Sequence, residues 1–159
     1  ERMLNEYLEF SRHQKNEETE SVVLNEMIED TVKKYEGKKI NLKIEKDLKM
    51  NIRPNSIKRC LANLIDNGLA YGKNVEISAN KSSNNIEIFV DDDGPGIPKE
   101  EYLNVMKPFY RIDKSRGQNK SGVGLGLSIA NDIIRSHGGN ISLNESPIKG
   151  LRVKISLPL

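Results

Sequence analysis

The chain has 159 residues, 36% hydrophobic and 30% charged, which suits one globular unit with a core of its own and excludes a disordered segment. Twenty-five basic against 23 acidic residues leave a net charge of +2, which argues against a nucleic-acid binder. One cysteine, Cys60, excludes an intrachain disulfide and, with two distant histidines, a zinc site; no apolar run is long enough to span a bilayer.

Glu1 falls in mid-pattern with no initiator Met ahead of it, so a piece of a longer protein is expected. Residues 1–12 place Met3, Leu4, Tyr7, Leu8 and Phe10 at mostly helical spacing, which predicts the end of a helix with partners elsewhere. Residues 13–20 are polar and read as a linker. A second helix is expected over 21–35, with Ser21 as N-cap and Leu24, Ile28 and Val32 facing inward. Ile40, Leu42 and Ile44 alternate as a strand, and another is expected at 49–52. Pro54 opens a long helix over 55–71 with Ile57, Leu61, Leu64 and Ile65 inward; Cys60 in this pattern reads as a buried structural thiol. Strands follow at 74–80 and 86–91, then a loop at 92–98 and a short helix near 99–105. Residues 107–122 form a long polar loop, of a length that is uncommon unless functional or disordered. A helix over 123–137 and strands at 140–145 and 151–157 complete the order. With neighbouring strands joined by short turns, the order predicts an α+β two-layer sandwich: a mixed, mostly antiparallel sheet with helices on one face.

Four short segments carry the chemistry. NLIDN places Asn63 and Asn67 four apart on one helix face, where two amide oxygens can meet a phosphate-bound metal; by itself this is also an ordinary polar flank. DDDGPGIP ends an apolar strand with three carboxylates, and Gly94 and Gly96 permit a tight bend and the approach of a flat ligand; any surface turn could share this composition. PFYRIDKSRG lies in the long loop. GVGLGL opens a helix, and its amides make an anion site suited to phosphates. Its glycine spacing fits neither a Walker A loop nor a dinucleotide fingerprint, and the signature of Ser/Thr/Tyr protein kinases is missing.

In this order, NLIDNGLAYG, DDDGPGIP, PFYRID and GVGLGL resemble the N, G1, F and G2 boxes of sensor histidine kinases, the catalytic domains with the Bergerat (GHKL) fold shared with gyrase B, Hsp90 and MutL. The resemblance covers residues 21–159 and looks closest to EnvZ-type osmosensing kinases; residues 1–12 resemble the end of the dimerisation and phosphoacceptor helix.

The resemblance implies ATP and Mg²⁺ as ligands. It makes Asp92 the acceptor for the adenine amine, with Gly94, Gly96 and Ile97 beside the base, and Asn67 the Mg²⁺ ligand, with Asn63 one turn before it. It puts Tyr71 near adenine, makes Phe109 the anchor of a mobile lid, and gives Arg111, Lys114 and Arg116 to phosphate charge. Gly122, Val123, Gly124, Leu125, Gly126 and Leu127 then belong to the phosphate loop. Asn63, Asn67, Arg111 and Arg116 form the catalytic set. Asp91 and Asp93 are read as solvated or capping groups. Gyrase, Hsp90 and MutL carry a glutamate at the position of Asn63, and an amide cannot act as a general base, so transfer is expected over hydrolysis. Gly68 stands where the family usually has alanine, at a helix cost of about 1 kcal/mol. Ala70 stands where a phosphate-binding Lys or Arg is common.

Neither histidine fits a phosphoacceptor: His13 lies in the polar linker, and His137 ends a helix, where an imidazolium favours the dipole. The expected function is therefore transfer of the ATP γ-phosphoryl to a histidine on an acceptor domain outside the chain, then to an OmpR-type response regulator. The parent is expected to be a dimeric bacterial inner-membrane sensor with this domain in the cytoplasm, and the piece itself a monomer. The alternative is a nucleotide-sensing module that holds ATP without transfer.

Overall fold

Period-two alternation of apolar residues builds the main sheet. The structure, a computed structural model, describes residues 17–110 and 126–159 together with Asn5 and Leu8. In order these contain β1 (Glu20–Val23), α1 (Leu24–Val32), β2 (Lys39–Ile44), β3 (Lys49–Ile52), α2 (Pro54–Tyr71), β4 (Asn74–Ser82), β5 (Asn85–Asp92), α3 (Gly126–Ser136), β6 (Asn140–Glu145) and β7 (Leu151–Pro158). Strands β2-β4-β5-β7-β6 form one sheet in that order, β2 parallel to β4 and the remaining pairs antiparallel.

One face of that sheet carries Val75, Ile77, Ile86, Ile88, Val90, Val153, Ile155 and Leu157, all buried. Ile57, Leu61, Leu64 and Ile65 of α2 and Ile129, Ile133 and Ile134 of α3 fill the core with them. Each such side chain stabilises the fold by about 1.5–3 kcal/mol when fully buried. The other face is polar and cross-linked by charge, with Lys154 on Glu87 at 3.1 Å and Lys43 on Glu76 at 3.7 Å. The expected α+β two-layer sandwich is the fold observed, and Cys60 is buried, its thiol pushed up to about 12 by burial.

Three expectations are corrected. The helix expected over 21–35 begins only at Leu24. Glu20–Val23 is a strand, paired antiparallel with β3, so Ser21 is no N-cap; the β-branched Val22 and Val23 suit the pleat, and only a partner distant in sequence decides for it. Strands β2 and β3 do not pair across a short turn. Asn25 at the start of α1 holds their connection, donating to Glu45 O at 2.7 Å and accepting from Leu48 N at 3.3 Å, while Asp47 takes a left-handed φ of 60°. This sends β3 to β1 and leaves β2 to β4. The short helix expected near 99–105 is a pair of 3-10 turns, Lys99–Glu101 and Asn104–Met106. Residues 1–12 apart from Asn5 and Leu8, residues 13–16 of the expected linker, His13 among them, and residues 123–125 of the last expected helix lie outside the described residues.

Candidate functional site

Strand β5 ends in three carboxylates that the fold puts to three different uses. Asp92 is 7% exposed. Its Oδ1 accepts from Gly94 N at 2.9 Å and from Leu151 N at 3.2 Å, and its carbonyl accepts from Gly150 N at 3.0 Å. Its Oδ2 accepts nothing from the described residues. Burial pushes its carboxyl above the usual range, against the pull of the two amides, and the charges of Asp93 and Asp91 add to the rise. The group is thus a buried acceptor, oriented through one oxygen and open at the other.

Asp93 points to β4. Its Oδ1 accepts from Lys73 N and Asn74 N at 2.7 and 3.0 Å, and its Oδ2 from Asn74 Nδ2 at 2.6 Å. The Asn74 bonds, then Lys73, hold its carboxyl down to about 2. It is the capping group expected. Asp91 is neither the solvated nor the capping group expected. It is fully buried and paired bidentate with Arg152 at 2.8 and 3.0 Å, the guanidinium lying 4.4 Å from the Phe89 ring centre. Alternation along β5 turns Asp91 to the sheet face opposite Asp92, where β7 supplies the cation.

Helix α2 passes directly beside this strand end. A Cβ on Gly68 would lie 3.0 Å from Val75 Cγ2 and 3.4 Å from Asp92 Cβ. A Cβ on Gly94 would lie 2.8 Å from the Tyr71 carbonyl oxygen. Both glycines let α2 approach the strand, so Gly68 is explained by packing rather than by helix propensity. Asn63 and Asn67 lie half-buried on α2, and neither side chain bonds to a described residue. Asn67 immediately precedes Gly68, which brings it to the Asp92 end of the strand, and Tyr71, 51% exposed, ends the helix there. Gly96 needs its left-handed φ of 73° and packs on Gly150, and Ile97 packs half-buried on the core.

The next segment is bound to itself: the Tyr110 hydroxyl donates to Glu101, its oxygens at 2.8 and 2.9 Å. Phe109, 46% exposed with φ 66°, lies at the end of it. Gly126 and Leu127 open the described part of α3, with Leu127 against the core. Arg111, Lys114, Arg116, Gly122, Val123, Gly124 and Leu125 lie outside the described residues.

His137 is structural, but not as a cation. Its Nε2 accepts from Arg53 N at 3.1 Å while Nδ1 sits 2.7 Å from the Ile133 carbonyl, the pattern of a neutral ring, and burial lowers its pKa.

A family model described as "Histidine kinase-, DNA gyrase B-, and HSP90-like ATPase" matches residues 52–159. The chain belongs to that ATPase family. Among curated relatives, it is 42% identical over 106 residues to the sensor histidine kinase GtrS of Pseudomonas aeruginosa, 67% of this chain and 22% of that one. It is 39% identical over 107 residues to the sensor histidine kinase CpxA of Escherichia coli, 67% of this chain and 23% of that one. The chain thus spans about a fifth of the length of these relatives. Among solved structures it is similar to the catalytic domain of histidine kinase ThkA, with TM-score 0.77 and 26% identity over 89% of this chain and 95% of that one. It also shares the fold of the ATP binding domain of PrrB from Mycobacterium tuberculosis, with TM-score 0.72 and 24% identity over 89% and 97%.

Two residues of this ATPase-family domain escape the sequence reading. Gly150 and Leu151 meet Asp92 from 58 and 59 positions downstream, and the one local signal is a glycine just before the last strand. For a metal, the donor set is hard, neutral oxygen: Asn63 and Asn67 are amides, and the described residues hold no group of three His, Cys, Asp or Glu. That fits Mg²⁺, which keeps its waters and is bound chiefly through substrate phosphates, and it fits no all-protein cage.

Proposed function

We propose that this chain is the ATP-binding catalytic domain of a sensor histidine kinase, which passes the γ-phosphoryl of ATP to a histidine on a dimerisation and acceptor domain outside the chain. The observation that carries the reading is Asp92. A buried carboxylate with Oδ1 held by two backbone amides presents Oδ2 as a fixed acceptor. The exocyclic amine of adenine is its complement, and the carbonyl of guanine is not. Facing acceptor with acceptor costs about 1–3 kcal/mol, which selects ATP over GTP.

In this reading the end of α2 brings Tyr71 to the base and Asn67 to the phosphates, with Asn63 one turn away. When bound, Mg²⁺ would supply neutralisation of the triphosphate charge. Asn67 is the residue that would hold it. The chain's work is positioning. Asp92 fixes the base, Gly94 and Gly96 leave room for it, and Phe109 would anchor the segment whose Arg111, Lys114 and Arg116 would meet phosphate charge. Gly122, Val123, Gly124, Leu125, Gly126 and Leu127 would offer the phosphates backbone amides at the start of α3. The acceptor imidazole nitrogen attacks the γ-phosphorus, the bond to the bridging oxygen breaks, and ADP leaves with that electron pair. Asn63 cannot take a proton from water, so the γ-phosphoryl is kept for transfer. The parent is read as a dimeric bacterial inner-membrane sensor with this domain in the cytoplasm, serving an OmpR-type response regulator.

The test incubates γ-labelled ATP and Mg²⁺ with the chain alone and with a separately made acceptor domain. Acid-labile label on the added domain alone is expected, and Asn67→Ala is expected to abolish it. ATP binding without any label transfer overturns the kinase reading and leaves a nucleotide-sensing module.

A further inference from the structure

Helix α2 starts without a side-chain cap from its own N-terminal residue, Arg53, and with Pro54 in its first turn. Its free amides are met by Glu17, 39 positions ahead of Ser56. Glu17 Oε2 accepts from Asn55 N at 2.7 Å, and Oε1 accepts from Ser56 N at 2.9 Å and Ser56 Oγ at 2.8 Å. A carboxylate here satisfies orphan donors and meets the positive end of the helix dipole. The surroundings of the seat are tied to α3: Arg53 N donates to His137 Nε2, and the Arg53 guanidinium donates to Ser136 Oγ. Three positions beyond Glu17 the chain enters β1, which is fixed to β3. The polar stretch ahead of β1 is therefore fastened to the same helix that carries Asn63 and Asn67.

We propose that Glu17 is a docking residue, which pins the connector to the start of α2 and so sets where the preceding chain leaves the nucleotide-binding unit. Its consequence for phosphoryl transfer rests on the kinase reading above; the docking itself does not. Docking at a fixed point limits how far the nucleotide-binding unit can move relative to an acceptor histidine in the same polypeptide. An acceptor supplied as a separate molecule is under no such limit. Glu17 is thus a positioning residue for transfer within one chain, and it touches no substrate.

Amide hydrogen exchange in this 159-residue chain tests the docking. With Glu17→Ala, exchange at Asn55 and Ser56 is expected to quicken at least tenfold, while amides of β4 and β5 and the affinity for ATP stay within twofold. Glu17→Gln, which keeps one acceptor oxygen, is expected to fall between. Unchanged exchange at Asn55 and Ser56 overturns the proposal. Transfer is then measured twice: by the chain to a separate acceptor domain, and within the parent protein. Glu17→Ala is expected to leave the first within twofold and to change the second at least fivefold. Equal effects on both overturn the positioning role. If the wild-type chain transfers to no acceptor, the kinase reading falls, while the exchange result still decides the docking.

Discussion

Gly150 stands so close to Asp92 that a Cβ on it would lie 2.0 Å from Asp92 Oδ1 and 2.6 Å from the Asp92 carbonyl oxygen. The turn between β6 and β7 is shaped to allow this, with Ser146 N donating to Gly150 O at 2.7 Å and Lys149 at φ 107°. Gly150→Ala must therefore move either the turn or the carboxylate. It is expected to destabilise the domain by about 1–3 kcal/mol, the usual cost of overpacking, and to weaken ATP binding at least tenfold. Thermal unfolding and ATP titration of the variant check both.

Asp92→Asn separates stability from recognition. Burial holds the Asp92 carboxyl above its ordinary value. A raised folded-state pKa contributes stability that is fully present below the unfolded value and lost as the pH rises through the folded one. At neutral pH the ionised group therefore costs stability, which an amide does not. The amide oxygen can still accept from Gly94 and Leu151. Unfolding at pH 7 is expected at the wild-type temperature or above it, with the gain shrinking towards a pH of about 4. ATP affinity is expected to fall by about 1–3 kcal/mol, because an amide group facing the adenine amine opposes donor to donor. Competition with GTP should show the preference for ATP narrowed.

Gly68 and Val75 are predicted to be coupled. On helix propensity alone Gly68→Ala would stabilise by about 1 kcal/mol. The 3.0 Å approach of its Cβ to Val75 Cγ2 reverses the sign, because Val75 is fully buried and cannot turn away. Gly68→Ala is expected to destabilise, and the same change in a Val75→Ala background to be neutral or stabilising. A double-mutant cycle by denaturant unfolding measures the coupling. Additive effects would refute the packing account.

His137 gives the domain an acid-sensitive joint. Its pKa is lowered by burial, so the stability tied to its neutral form is fully present above about 6.5 and is lost as the pH falls through the lower folded value. Protonation removes the acceptor for Arg53 N. Arg53 opposes that proton and Glu17 favours it, both more weakly than burial acts. Stability measured from pH 7.5 down to 5 is expected to fall, and His137→Gln, which keeps an acceptor but does not titrate, is expected to flatten the slope.

The sequence by itself determined what is written in consecutive residues. The inward faces of α2 and of the strands, the one-sided sheet and the turn at Gly94 to Gly96 all follow from spacing along the chain, and all agree with the fold. Tertiary structure decided what depends on partners far apart in sequence. Glu20–Val23 became a strand because β3 was there to pair with it, a choice that the apolar pattern continuing into α1 concealed. The neighbours Asp91 and Asp92 parted into an ion pair and an open acceptor because β7 presents Arg152 on one face, while Leu151 at its start and Gly150 in the turn before it meet Asp92. Gly68 read as a weak helix residue until Val75 filled the space beside it. Local spacing fixes which face a side chain takes, while the energy of a buried charge, a close backbone approach or an unmet amide depends on what the rest of the chain brings to it.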